Sequence, residues 1–231
     1  MSITLTIDEG NTTTKMAVWH NDKLEQMFVA GSVPSHLKPR RVVVSSVKKH
    51  PGNYNIEGSK HLVLTSSTPM PITFDYAPTI GADRIAAAVG AWTIRPGKPS
   101  LVVDLGTAAT FDFIDSDGTM RGGNISPGLR TRLRALASNT ALPSEEPSTD
   151  TKLPLLAHDT HSAILAGAIR GICAELTYYK NRLRRKHPQI ATIITGGDSF
   201  IIKPYLHSAD IIEPLLVMIG LKHISDYNES L

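Results

Sequence analysis

The sequence predicts an α/β protein of two similar halves that face each other across a cleft. The first observation behind this is an internal repeat. Leu5-Thr6-Ile7-Asp8-Glu9-Gly10-Asn11-Thr12 and Val102-Val103-Asp104-Leu105-Gly106-Thr107 share an apolar strand, an Asp, any residue, a Gly and then small polar residues. Each copy is followed by a second strand and a turn: Met16 to Val18 with Asn21-Asp22, and Phe113-Ile114 with Asp115 to Gly118. The second is the alternation of strand-length apolar runs with helical stretches. The third is size: 231 residues suit one large domain or two of about 100–150, and the repeat divides them at 1–100 and 101–231. With 41% apolar and 19% charged residues, disordered, collagen-like and coiled-coil chains are excluded.

In chain order, Ile3 to Ile7, Lys15 to His20, Arg41 to Ser46, Leu101 to Asp104, Thr110 to Ile114 and Ala191 to Thr195 read as strands. Leu101 to Asp104 is short and wholly apolar before its Asp, as expected of a strand buried on both faces. Asp83 to Ile94 is an Ala-rich helix stopped by Arg95-Pro96-Gly97. The longest helix runs from about Thr160 to Lys186, with Ile164, Ala168, Ile172 and Leu176 stacked beside Leu165, Ile169 and Cys173. Asp159 caps it, and basic residues close it before Pro188. A last helix is expected from Pro214. Leu142 to Asp159, with Pro143, Pro147 and Pro154, reads as a connection.

A Gly after a strand lets successive N–H groups converge on one spot, and the Thr12 and Thr107 hydroxyls add donors, so each repeated turn could cradle phosphate. Asp8 and Asp104 would repel phosphate unless a cation intervened, which makes them cation-handling carboxylates. Lys15 offers a compact positive charge. Neither a P-loop nor a strand-linked Gly-x-Gly-x-x-Gly is present. Gly81-Ala82-Asp83-Arg84 places a carboxylate able to accept a hydroxyl proton beside a cation for an acidic substrate group. The glycines of Gly122 to Gly128 permit close backbone approach to a ligand. Thr195-Gly196-Gly197-Asp198 joins a strand to a helix, a place for a nucleotide's base or ribose.

Other features are bland. The net charge of +3 mildly favours anions without calling for nucleic acid. The run at Arg182, Arg184, Arg185, Lys186 and His187 suits a solvated helix end, and Arg130, Arg132 and Arg134 could draw in anions. The single Cys173 can make neither a disulfide within the chain nor a zinc cluster, and the nine histidines show no His-x-x-x-His pair. No apolar run approaches the length of a membrane span. A cytoplasmic protein is expected.

These elements, in this order, resemble the type III pantothenate kinases of the acetate and sugar kinase, heat-shock chaperone and actin superfamily. The matching pieces are DEGNTTTK (Asp8 to Lys15), SSV (Ser45 to Val47), GADR (Gly81 to Arg84), DLGTAATFD (Asp104 to Asp112), GGNISPG (Gly122 to Gly128), DTHSAILAG (Asp159 to Gly167) and TGGD (Thr195 to Asp198). The resemblance implies two ribonuclease-H-like halves in a duplicated actin-like ATPase fold, and ATP-dependent phosphorylation of pantothenate on its 4′-hydroxyl, the first step towards coenzyme A. It also implies Mg2+, a monovalent cation (K+ or NH4+) and a homodimer. By motif, Asp8, Glu9, Gly10, Asn11, Thr12, Thr13, Thr14, Lys15 and Thr107 would bind ATP, Asp104 the monovalent cation, and Asp83 would be the base. Tyr76, Gly81, Ala82, Asp83, Arg84 and Thr160 would bind pantothenate.

Two departures accompany the match. Glu9 stands where the family has an apolar residue, and strand alternation turns its side chain away from Asp8. The approach to GADR is shortened to Tyr76-Ala77-Pro78-Thr79-Ile80-Gly81. The alternative functions are another small-molecule kinase on the same scaffold, or a non-catalytic regulator.

Overall fold

The computed structural model describes residues 2–29, 32–149, 153–206 and 210–231; residues 150–152 of the Pro-rich connection lie outside them. In chain order the elements are β1 (Ile3–Glu9), β2 (Thr14–His20), β3 (Lys23–Val29), β4 (Arg41–Ser46), β5 (Lys60–Val63), β6 (Thr73–Phe74), α1 (Ala82–Ile94), β7 (Ser100–Leu105), β8 (Ala108–Ile114) and β9 (Thr119–Pro127). They continue with α2 (Leu129–Asn139), α3 (Thr160–Arg184), β10 (Ala191–Thr195), α4 (Ser199–Ile202), β11 (Ile211–Ile212) and α5 (Leu216–Ser230). Two compact units result: Met1–Gly97 with Asp115–Arg121 and Leu215–Leu231, and Lys98–Ile114 with Gly122–Pro214. The architecture is α/β, as the repeat predicts.

In the first unit the sheet runs β3-β2-β1-β4-β5. β1 and β2 form an antiparallel hairpin, and β4 lies parallel to β1. Because side chains alternate, β1 has two distinct faces. Leu5 and Ile7 join Met16, Val18, Val42, Val44 and Tyr54 in a closed apolar cluster. Thr6 faces the other way, where its Oγ1 lies 3.3 Å from Met218 Sδ and accepts from Trp19 Nε1 at 2.9 Å.

That second face is covered by α1 and α5. α1 buries the whole stretch from Arg84 to Ala91, and α5 buries Leu216, Val217, Met218, Leu221 and Ile224. The helices approach at two glycines: a Cβ on Gly90 would lie 2.1 Å from Leu216 O, and one on Gly220 would lie 1.8 Å from Ala86 O. Those neighbours are backbone and cannot rotate away. In a free helix Ala is favoured over Gly by about 1 kcal/mol, yet overpacking here costs about 1–3 kcal/mol or more. Gly220→Ala is therefore expected to lower Tm by several degrees in a thermal melt, whereas an exposed helix glycine changed to Ala would raise it.

The second unit repeats the arrangement of the first. β7 and β8 form an antiparallel hairpin and β10 lies parallel to β7, as β1, β2 and β4 do. Leu101, Val103, Leu105 and Phe111 pack with Leu129 and Leu133 of α2 and with Leu165, Ile169, Ile172 and Leu176 of α3. β7 is buried on both faces apart from its Asp. Asp159 caps α3 as its sequence position predicts, its carboxylate accepting from Ser162 N at 2.8 Å. The Gly122 to Pro127 segment forms the end of strand β9, and Gly128 is the extended N-cap residue of α2. Among the described residues no helix is long and apolar enough to cross a membrane.

Candidate active site

The hairpin turn after β1 is closed by Gly10 N donating to Thr13 O at 3.0 Å, leaving Asn11, Thr12 and Thr13 exposed at its tip. Strand pairing sets Asp8 opposite Lys15 on β2 and beside Ser45 on β4. Asp8 is half-buried. Burial first, and the nearby Asp83 carboxylate second, push its pKa up to about 6 against the opposing pull of Lys15. The two acids that the sequence leaves 75 positions apart are thus electrostatic neighbours.

Asp83 lies in the first turn of α1, whose N-cap is Gly81 with no side chain to cap it. The Asp83 Oδ1 instead accepts from Arg84 N at 2.8 Å. A side chain on Gly81 would come within 2.5 Å of that oxygen, so glycine leaves the carboxylate its room. Burial raises the Asp83 pKa, partly offset by Arg84. Arg84 is 6% exposed; its guanidinium donates to Tyr76 Oη at 3.1 Å and lies 4.8 Å from the centre of that ring. The structure therefore brings Tyr76, Gly81, Ala82, Asp83 and Arg84 together despite the shortened approach. Thr160 is in the second unit, exposed at the start of α3.

Glu9 departs from the phosphate-binding expectation. Its carboxylate is 3% exposed and accepts from Ser46 Oγ at 2.7 Å, Gly52 N at 3.1 Å and Tyr54 Oη at 2.8 Å, with Lys48 Nζ at 3.3 Å. Burial alone would raise its pKa, but these donors hold it below the ordinary value. It is a structural anchor for residues 46–54, and Lys48 and Tyr54 give no sign in the sequence that they meet it.

In the second unit three glycine motifs meet at the end of β7. Gly106 N donates to Ala108 O at 3.0 Å, turning the chain at Thr107. A Cβ on Gly128 would lie 2.1 Å from Gly106 O, so the head of α2 sits directly against that turn. Gly196, at φ +91°, packs against Asp104 and Leu105, and Asp198 N donates to Leu105 O at 3.0 Å. Arg130 pairs with Asp198 at 3.2 Å and with Glu146, and Arg132 pairs with Glu175. Two of the three arginines expected to draw in anions are thus already ion-paired. Among the described residues no three His, Cys, Asp or Glu side chains converge as a metal cluster.

The family model for type III pantothenate kinase matches residues 37–182. The chain belongs to the type III pantothenate kinase family. Its relatives of that name include proteins from Porphyromonas gingivalis strain W83, 36% identical over 99% of this chain and 100% of the relative, and Phocaeicola vulgatus, 35% identical over 98% and 99%. The fold is shared more widely. A conserved protein from Campylobacter jejuni, described as a Baf family transcriptional activator, superposes with TM-score 0.69 at 22% identity, covering 98% of this chain and 100% of that one. A ROK family glucokinase from Streptomyces griseus does so with TM-score 0.52 at 13% identity, over 98% and 99%. At these identities the likeness is one of fold.

Asp8 makes one site property measurable. Its folded pKa lies above its ordinary value near 3.8, so the fold binds its proton more tightly than the unfolded chain does. The stability this contributes is full below the ordinary carboxylate pKa and is lost as pH rises through about 6. Asp8→Asn, which cannot ionise, is therefore expected to melt several degrees above the parent at pH 7.5, a gap on the order of 1–3 kcal/mol. Melts at pH 4 should show most of that gap gone. A variant no more stable than the parent at pH 7.5 would remove the burial argument.

Proposed function

We propose that this chain transfers the γ-phosphoryl group of ATP to the 4′-hydroxyl of pantothenate. The observation that carries the reading is the half-buried Asp83 carboxylate, set in the first turn of α1 next to the Tyr76-held Arg84 and within electrostatic reach of Asp8. Asp83 takes the hydroxyl proton, the freed oxygen attacks the γ-phosphorus in line, and the bond to the ADP oxygen breaks. Arg84, held by Tyr76, is the cation for the pantothenate carboxylate, with Gly81 and Ala82 leaving room for the chain of the substrate. The turn from Asp8 to Lys15 holds phosphate through backbone N–H groups, hydroxyls and Lys15, and Thr107 is read as an ATP contact from its motif. Glu9 shapes the first turn from behind.

Mg2+ fits the Asp8–Asp83 side, where the Asp83 carboxylate already raises the cost of ionising Asp8, and when bound it would neutralise charge on the transferring phosphoryl group. Asp104, half-buried under Gly196, is the ligand for K+ or NH4+. The same reading takes residues 1–100 and 101–231 as duplicated actin-like halves, supported by the repeated hairpin-plus-parallel-strand arrangement. It includes a cytoplasmic homodimer, with Thr160 of α3 contributing to the pantothenate site.

The test is ADP release with ATP, magnesium and pantothenate, in potassium and then in sodium. Turnover that needs pantothenate and is lost in sodium supports the kinase and the Asp104 assignment together. Phosphorylation of sugars instead moves the substrate. ATP binding without consumption makes the chain a regulator.

A further inference from the structure

Ser45 is fully buried on β4, and its hydroxyl has no hydrogen-bond partner among the described residues. A buried hydroxyl left unpaired is destabilising, and alanine fits the same space without that burden. Its neighbour Ser46, chemically identical, has its hydroxyl engaged by Glu9 at 2.7 Å. The two serines differ in the face they occupy. Ser46 pairs with Glu9 on the side of the apolar cluster, and Ser45 pairs with Asp8 on the side of α1 and α5.

Residues directly paired across strands point to one face, so Lys15, Asp8 and Ser45 form a row across β2, β1 and β4. Thr6, two residues before Asp8, touches Met218 of α5, which fixes the row on the helix side where Asp83 opens α1. Neighbouring strands lie about 4.8 Å apart, a span that a serine hydroxyl and an aspartate carboxylate on one face are long enough to bridge. We infer that Ser45 is a positioning residue for Asp8, its hydroxyl donating to the Asp8 carboxylate and fixing its direction when phosphate and its cation occupy the turn.

The inference rests on the reading of Asp8 as part of the ATP site. The test compares the full chain with Ser45→Ala and Ser45→Thr by thermal melt, by Mg–ATP affinity in calorimetry and by steady-state kinetics. Ser45→Ala should melt at or a few degrees above the parent, while Kd for Mg–ATP rises and kcat/KM for ATP falls, each about tenfold. Ser45→Thr, which keeps the hydroxyl, should restore most of the affinity. Parent-like affinity and kinetics in Ser45→Ala would overturn the inference. So would a Tm that falls in step with activity, the mark of a packing role. If the parent binds Mg–ATP but ignores pantothenate, the substrate assignment fails, and the affinity comparison still judges Ser45.

Discussion

Asp83→Asn is expected to lower kcat by roughly 10²–10⁴-fold while leaving the melting temperature at or above that of the parent. Asparagine keeps an Oδ1 to accept from Arg84 N, now at 2.8 Å, so the head of α1 loses no contact. What it loses is the ability to take a proton. Burial already disfavours the charge on Asp83, and removing that charge costs the fold nothing. The base must be ionised to act, so the parent's kcat/KM should rise with pH through a pKa above the ordinary carboxylate range, and this limb should be absent from the residual activity of the variant. There is a second readout at a distance. Asp83 is one of the groups that push Asp8 up to about 6, so Asp8 should titrate lower in Asp83→Asn. Wild-type turnover in the variant would remove Asp83 from the base role.

Gly196→Ala should be the most damaging small substitution in the second unit. At φ +91° an L-residue is strained, and its Cβ would lie 2.5 Å from Leu105 N and C and 2.4 Å from Asp104 Oδ1. Strain and overpacking together amount to roughly 2–5 kcal/mol, a large share of the 5–15 kcal/mol that holds a typical domain together. The displaced atoms are the end of β7 itself, so Mg–ATP affinity should fall with stability. Gly197→Ala is the control: its Cβ would meet nothing within 4 Å, and both melt and affinity should stay near the parent. Equal behaviour of the two variants would mean that the β7 end tolerates displacement.

The parts of the fold that a reader can find in the sequence are those whose burial is dictated locally. β1, β2, β4, β7, β8 and β10 are apolar because they sit in sheet interiors, and α3 shows its stripe because one side faces a core. β3 and β5 are largely exposed, with Lys23, Glu25, Gln26, Lys60 and His61 among their residues, and carry no such signal. β6 and β11 are two residues each and exist only because a neighbouring strand offers a pairing edge. α2 hides behind its arginines, since only Leu129 and Leu133 of it are buried.

The site divides in the same way. Asp8, Gly10, Asp83, Asp104 and Gly196 follow a strand or open a helix, and such ends are visible as composition changes. The electrostatic influence of Asp83 on Asp8 and the Glu9–Tyr54 bond depend on chain segments meeting across long intervals, and the Arg84–Tyr76 stack depends on how the short approach to α1 folds back. Glu9 is the instructive residue: alternation correctly turns it from Asp8, but only the packing of residues 46–54 shows where the carboxylate goes.

The pairing of α1 with α5 also sets an order of events at the ribosome. Residues up to Gly97 emerge first, yet the helix that covers their sheet and fills the hollows at Gly90 and Ala86 begins only at Leu216. The intervening stretch of roughly 120 residues takes on the order of ten seconds to synthesise, and it contains all of the second unit. The second unit can therefore close while the first still shows the bare apolar side of α1 to water. Translation that stalls within this window would release a chain half finished in the wrong order, its later part folded and its earlier part awaiting a lid, which makes the nascent first unit the place where chaperones would engage.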